Sequence, residues 1–123
     1  MPVIVTVDHE RQQVTAICVG PVTLADTITH LDREVREKGV GSRKLFDTRG
    51  SGFEINEEDV QRIADALHAR SKEAKIGPAA MVVSSDRLFD LTLLVSKLTA
   101  DVCRIRPFRD EAEARKWLAA QPI

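Results

Sequence analysis

Three short strings place an arginine beside hydroxyls or turn residues: Asp47-Thr-Arg-Gly-Ser51, Ser84-Ser-Asp-Arg87 and Arg106-Pro-Phe-Arg109. Such residues hold small anions, because a guanidinium offers a fork of N–H donors while hydroxyls and free helix N–H groups supply the rest. Thr48, Arg49, Ser84, Ser85, Arg87 and Arg109 are therefore the candidate ligand-binding residues. Caps and turns use the same types, so a structural account also covers the set: Ser85 or Asp86 capping one helix, Asp110 another, and the arginines solvated or paired with Asp47 and Asp86. No stronger chemistry is written in the chain. Asp47 and Ser84 come nearest to a base and a nucleophile, and no histidine is placed to orient either. His9, His30 and His68 have no metal-ligand spacing, and no C-x-x-C or H-E-x-x-H string exists, so no metal site is expected. Gly50-Ser-Gly52 lacks the Lys-Ser/Thr that follows a phosphate-cradling loop. The expectation is a protein that is not an enzyme and carries no cofactor.

These residues need elements to position them. Val3–Val7 and Gln13–Val19 are β-rich runs joined by a hairpin connection over 8–12. Gly20-Pro21 is expected to break the second strand, and Thr23 with Asp26 to cap a helix whose stripe is Leu24, Ile28, Leu31 and Val35 and whose end is Gly39 and Gly41. Lys44–Asp47 reads as a short third strand, followed by a glycine-rich loop over 48–52. Asn56 then caps a second helix with Val60, Ile63, Ala64 and Leu67 inward, and Glu57, Glu58 and Asp59 suit the positive end of its dipole. Ala79–Val83 is a continuous apolar strand, Leu88–Thr99 a third helix, Val102–Pro107 a fifth strand, and Asp110 caps a last helix carrying Ala114, Trp117 and Leu118.

The order ββαβαβαβα implies one α/β domain over residues 1–123, with a five-stranded mixed, largely parallel sheet and four helices. The anion candidates then fall at the carboxyl ends of strands three, four and five, where open sheets hold ligands.

At 123 residues the chain buries roughly two thirds of its unfolded surface, enough for one core without staples. With 18 Lys+Arg against 19 Asp+Glu there is no global field for nucleic acid or anionic lipid. No 18-residue apolar run exists for membrane insertion, and the Val3–Val7 stretch is too short for a secretory signal, so the expected compartment is the cytoplasm. Cys18 and Cys103 lie in apolar runs and read as buried thiols. The third helix is more apolar than one stripe needs. Leu91, Leu94, Val95 and Leu98 form its expected core face, which leaves Phe89 and Leu93 as a candidate interface, a lid over an apolar ligand, or a flank covered by the chain itself.

Gly20-Pro-Val-Thr-Leu24, Arg43-Lys-Leu-Phe-Asp47 and Phe108–Leu118 together resemble a STAS-type domain of the bacterial anti-sigma-factor-antagonist and SEC14-like branch. The resemblance implies a STAS-like fold and a non-catalytic regulatory or protein-interaction module that forms a homodimer, its protein partner unnamed. It also implies an alternative, a carrier or sensor of a small apolar or anionic ligand, with an apolar pocket near Trp117. Antagonist-type members are phosphorylated on a Ser or Thr in an Asp-Ser-x-Gly-like loop before the second helix. Here Glu57 or Glu58 takes that place, while Asp47-Thr-Arg-Gly50 fits the letters but falls at a strand end, which leaves Thr48 as the candidate hydroxyl.

Overall fold

The computed structural model describes residues 3–8, 10–36 and 41–122. The expected helix stop at Gly39 and the residue His9 lie outside them. Within them the chain runs β1 (Val3–Asp8), β2 (Gln13–Thr23), α1 (Leu24–Arg36), β3 (Arg43–Glu54), α2 (Glu57–Ser71), β4 (Ala79–Val82), α3 (Asp86–Leu98), β5 (Ile105–Phe108) and α4 (Glu111–Ala119). This is the expected order, in a mixed five-stranded sheet with four helices.

The strands lie side by side in chain order, β1 antiparallel to β2 and the rest parallel. Each parallel crossover steps the same way, so the right-handed rule puts its helix on the same face every time. Leu31 of α1, Val60 and Leu67 of α2, and Leu91 and Val95 of α3 accordingly share one cluster. α4 follows the last strand and folds back over the other face, where Ala114 and Leu118 meet Leu45, Ala80, Val82 and Phe108.

Side chains fix the helix starts as the sequence implies. Thr23 and Asp26 cap reciprocally, Asp26 N–H donating to Thr23 Oγ1 at 3.2 Å and Thr23 N–H to Asp26 Oδ2 at 3.0 Å. Asn56 and Asp59 repeat the device at α2, and the Ser85 and Asp110 oxygens accept from Leu88 N–H and Ala112 N–H.

Three boundaries and one helix face differ from expectation. The glycine-rich segment 48–52 is strand rather than loop, because β2 runs on past Gly20 and its ladder continues from Val19 opposite Gly50 to Thr23 opposite Glu54. Pairing with a neighbour outweighs glycine's weak strand preference. Gly20 does not end β2; it takes φ of 71°, which glycine adopts without strain, and Pro21 follows where β1 no longer pairs. β5 begins at Ile105, not Val102, because Val102 and Cys103 N–H groups close a turn on Thr99 O at 3.0 Å. On α3 the buried face is Leu88, Leu91, Thr92 and Val95, whereas Leu94 and Leu98 point outward. Thr92 can take an inward place because its hydroxyl donates to Leu88 O at 2.8 Å.

Candidate functional site

Between the sheet and α1–α3 lies a cavity of about 160 Å³. Its floor is built from side chains that alternate onto that face, among them Cys18 of β2, Phe46 of β3, and Ala79 and Met81 of β4. Val60, Leu91 and Val95 close its roof. The space arises from volume: Cys18 and Ala79 are short, and Gly77, which also borders it, has no side chain. Gly77 cannot be otherwise, since a Cβ there would stand 2.2 Å from Ser42 O.

The wall is almost wholly apolar. Its polar members are already engaged: Thr27 with Thr23 O at 3.0 Å, Thr92 with Leu88 O, His30 edge-on to the Phe46 ring at 5.4 Å, and Lys44, 3% exposed, with Ser42 O and Gly77 O at 3.3 and 3.4 Å. Burial, with the Asp47 charge adding to it, pushes the Cys18 thiol up to about 11, so it is a neutral apolar surface at physiological pH. A cavity of about this size lined by aliphatic side chains takes a benzene-sized molecule. The arrangement can therefore hold something apolar.

The strand-end residues are placed differently. Thr48 is buried, its hydroxyl donating to Val82 O at 2.6 Å. Arg49 lies on Asp47 at 2.8 Å and reaches Glu111 of α4 at 2.7 Å, and this arginine holds the Asp47 carboxyl below the usual carboxylate range. Arg87 donates to Ile55 O before α2, and Arg109 pairs with Asp86 of α3 while stacking over Phe89 at 4.9 Å. Ser85 caps α3, and Ser84 is exposed beside it. Each guanidinium thus has an acceptor of its own chain, in β3 and α4 for Arg49, in the β3–α2 connection for Arg87 and in α3 for Arg109. An incoming anion would have to displace them.

No protein-family model matches the chain, and no curated protein matches its sequence. Among solved structures it is similar to an uncharacterized protein of the DUF3478 family with a SpoIIAA-like fold from Shewanella loihica PV-4. That likeness covers 94% of this chain and 91% of the other at a TM-score of 0.62 and 15% identity. This chain has a SpoIIAA-like, STAS-type fold.

At that identity the likeness is one of fold, and chemistry must come from the residues. In this STAS-type fold Glu57 and Glu58 occupy the first turn of α2, exposed, where their charges favour the helix start. Trp117 packs against the rim of the α4 cluster, its ring 5.7 Å from Phe108, on the sheet face away from the cavity. The cavity described above therefore lies across the sheet from Trp117. Helical periodicity marks which face is buried, not how much volume fills it, so the one signal of the cavity is the shortness of Cys18 and Ala79 on the strands, and of Gly77 just before β4, below three helices. Among the described residues no helix is long and apolar enough to cross a membrane, and no three His, Cys, Asp or Glu side chains gather as a metal site.

Proposed function

We propose that this chain is a non-catalytic binding module that takes up one small apolar molecule between the sheet and α1–α3. The cavity carries this reading: it is large enough for about six to eight carbon atoms by the benzene comparison, and nearly every surface it presents is hydrocarbon or sulfur. Binding is driven by removing apolar surface from water, with selectivity by size and shape rather than by hydrogen bonds. Two buried free thiols, Cys18 and Cys103, support a reducing compartment such as the cytoplasm as its place of work.

Toluene is the test ligand. At ten times its dissociation constant it stabilises the folded chain by about 1.4 kcal/mol, a rise in Tm of roughly 5 °C. Ala79→Leu, which fills the cavity from the floor, should lose at least half of that rise. No shift in the wild type, or an equal shift in both proteins, rejects the reading. Native mass spectrometry of protein purified from its own source then reports the mass of any retained cargo.

A second reading, a regulatory module that works by protein contact and self-associates, is favoured by α3. Leu93, Leu94 and Leu98 stand 38, 39 and 42% exposed on one helix, more than a solvated face needs. Phe89, the other expected interface residue, is half-buried beneath Arg109. The occupant of this reading is a second copy of the chain. Glutamate at both Leu93 and Leu94 should convert a dimer to a monomer by light scattering; an unchanged mass removes α3 as the contact.

A further inference from the structure

The outward face of α3 carries Asp90, Leu93, Leu94, Lys97 and Leu98, all exposed, in a stripe that recurs every three to four residues and turns away from Leu88, Leu91 and Val95. We propose that this face pairs with itself in a second copy as an antiparallel helix pair, centred between Leu93 and Leu94. The inference rests on the protein-contact reading above and adds its geometry and register.

A two-fold interface must be complementary to itself, since each residue meets its counterpart's mate twice. With the axis between Leu93 and Leu94, Leu93 faces the partner's Leu94, Phe89 faces the partner's Leu98, and Asp90 faces the partner's Lys97. Over these three pairs apolar meets apolar and acid meets base. Arrangements displaced by a full turn, or run parallel, fail on charge. A parallel pair, or an antiparallel one centred a turn away at Asp90 or Lys97, puts aspartate on aspartate or lysine on lysine at close range, which is destabilising.

Asp90 and Lys97 are suited to this use because, among the described residues, neither forms an ion pair within its own chain. The acids at the ends of the pair do have partners. Asp86 is held by Arg109, and Asp101, just past the helix, by His68 at 2.9 Å. α3 has 13 residues, about 20 Å of helix, and so presents less than the roughly 800 Å² per partner of a standard interface. The association is therefore concentration-dependent and sensitive to salt.

Sedimentation velocity over a concentration series at low salt tests it. The wild type should pass from monomer to dimer, and Asp90→Lys or Lys97→Asp should each weaken association at least tenfold while leaving Tm unchanged. Mixing the two single variants should restore association as a heterodimer, because every facing pair is again opposite in charge. The double variant D90K/K97D should restore a homodimer. If the single variants associate like the wild type, or their mixture is not rescued, the register is wrong. Leu94→Glu then separates the two failures: a dimer lost by Leu94→Glu but indifferent to the charge changes keeps the contact on α3 and rejects only the pairing. A dimer indifferent to both, or a wild type monomeric throughout, rejects the protein-contact reading as well.

Discussion

Under α4, the cluster of Leu45, Ala80, Val82, Phe108, Ala114 and Leu118 has no member more than 8% exposed, and Arg43 and Arg49 of β3 grip the helix at its two ends. Arg43 donates from Nε and Nη2 to Gln121 O at 3.0 and 2.7 Å, and Arg49 holds Glu111 at 2.7 Å. Across the sheet three helices cover more surface yet close around about 160 Å³ of space. Ion pairs tie helix to helix there, Arg70 of α2 to Asp32 of α1, and His68 of α2 to Asp101 just past α3. One short helix pinned at both ends packs densely; three helices meeting over small residues leave room. The first arrangement stabilises, and the second leaves a place for a ligand at some cost in packing.

The largest effect that would break this comparison is in paired truncations. Leu118→Ala removes a side chain 1% exposed from a filled site, and should cost about 4 kcal/mol in urea unfolding, toward the upper part of the range for such changes. Leu91→Ala removes a side chain that already borders empty space, so fewer contacts are lost and the cost should be about 2–3 kcal/mol. Equal losses would mean that the two faces are packed alike.

Adjacent residues of one strand sharpen the same point from the other direction. Ala79 faces the cavity and Ala80 faces α4. Valine improves strand preference equally at both, so any difference reports the space above. Ala80→Val should destabilise by about 1–3 kcal/mol through overpacking, while Ala79→Val should stay within about 1 kcal/mol of wild type or stabilise. A larger penalty at Ala79 would show that the floor of the cavity cannot accept a methyl group.

Local signals do not distinguish the faces. Asn56→Ala at α2 and Asp110→Ala at α4 each remove one capping acceptor and should each cost about 1 kcal/mol in thermal unfolding. A much larger loss at either helix would place part of the asymmetry in the helices themselves rather than in what they pack against.

That division explains what the amino-acid pattern could convey. Thr23, Asn56, Ser85 and Asp110 announce their helices because a cap is decided within four residues. The alternation of strands and helices gives the sheet, because parallel strands require crossovers. The strand through Gly50 and Gly52 was hidden since its cause is β2, thirty residues away in the chain. The outward turn of Leu94 and Leu98 was hidden because Thr92, a polar residue, took an inward place through a bond to its own helix. The pairing of arginines with Asp47 and Asp86 was legible in the sequence, and Arg49 and Arg109 make it, whereas the acceptors Glu111 of Arg49 and Ile55 O of Arg87 are set by tertiary structure.

The smallest difference between the faces is one of titration. The ties of α4 to β3 use arginines, which stay charged at every ordinary pH, whereas one tie of the open face uses His68, whose ring meets Asp101 at Nε2 and Ala64 O at Nδ1, both at 2.9 Å. Two acceptors at two ring nitrogens favour the doubly protonated ring. The hydrogen bond to Asp101 raises the His68 pKa above its ordinary 6.5, and the same bond holds the Asp101 carboxyl below its ordinary 3.8. Because the folded histidine binds its proton more tightly than the unfolded one, its contribution is complete below about pH 6.5 and fades as pH rises through the folded value. The aspartate runs the opposite way: its contribution is present above about pH 4 and fades as pH falls through its lowered value. The Tm gap between wild type and His68→Gln should therefore be widest near pH 5.5 and close by about pH 9. Arg43→Gln on the α4 face should show a gap that does not change over that interval. If the His68 gap stays constant with pH while the two helices remain folded, the imidazolium contributes nothing to holding α2 against the turn after α3, and the open face is as insensitive to pH as the closed one.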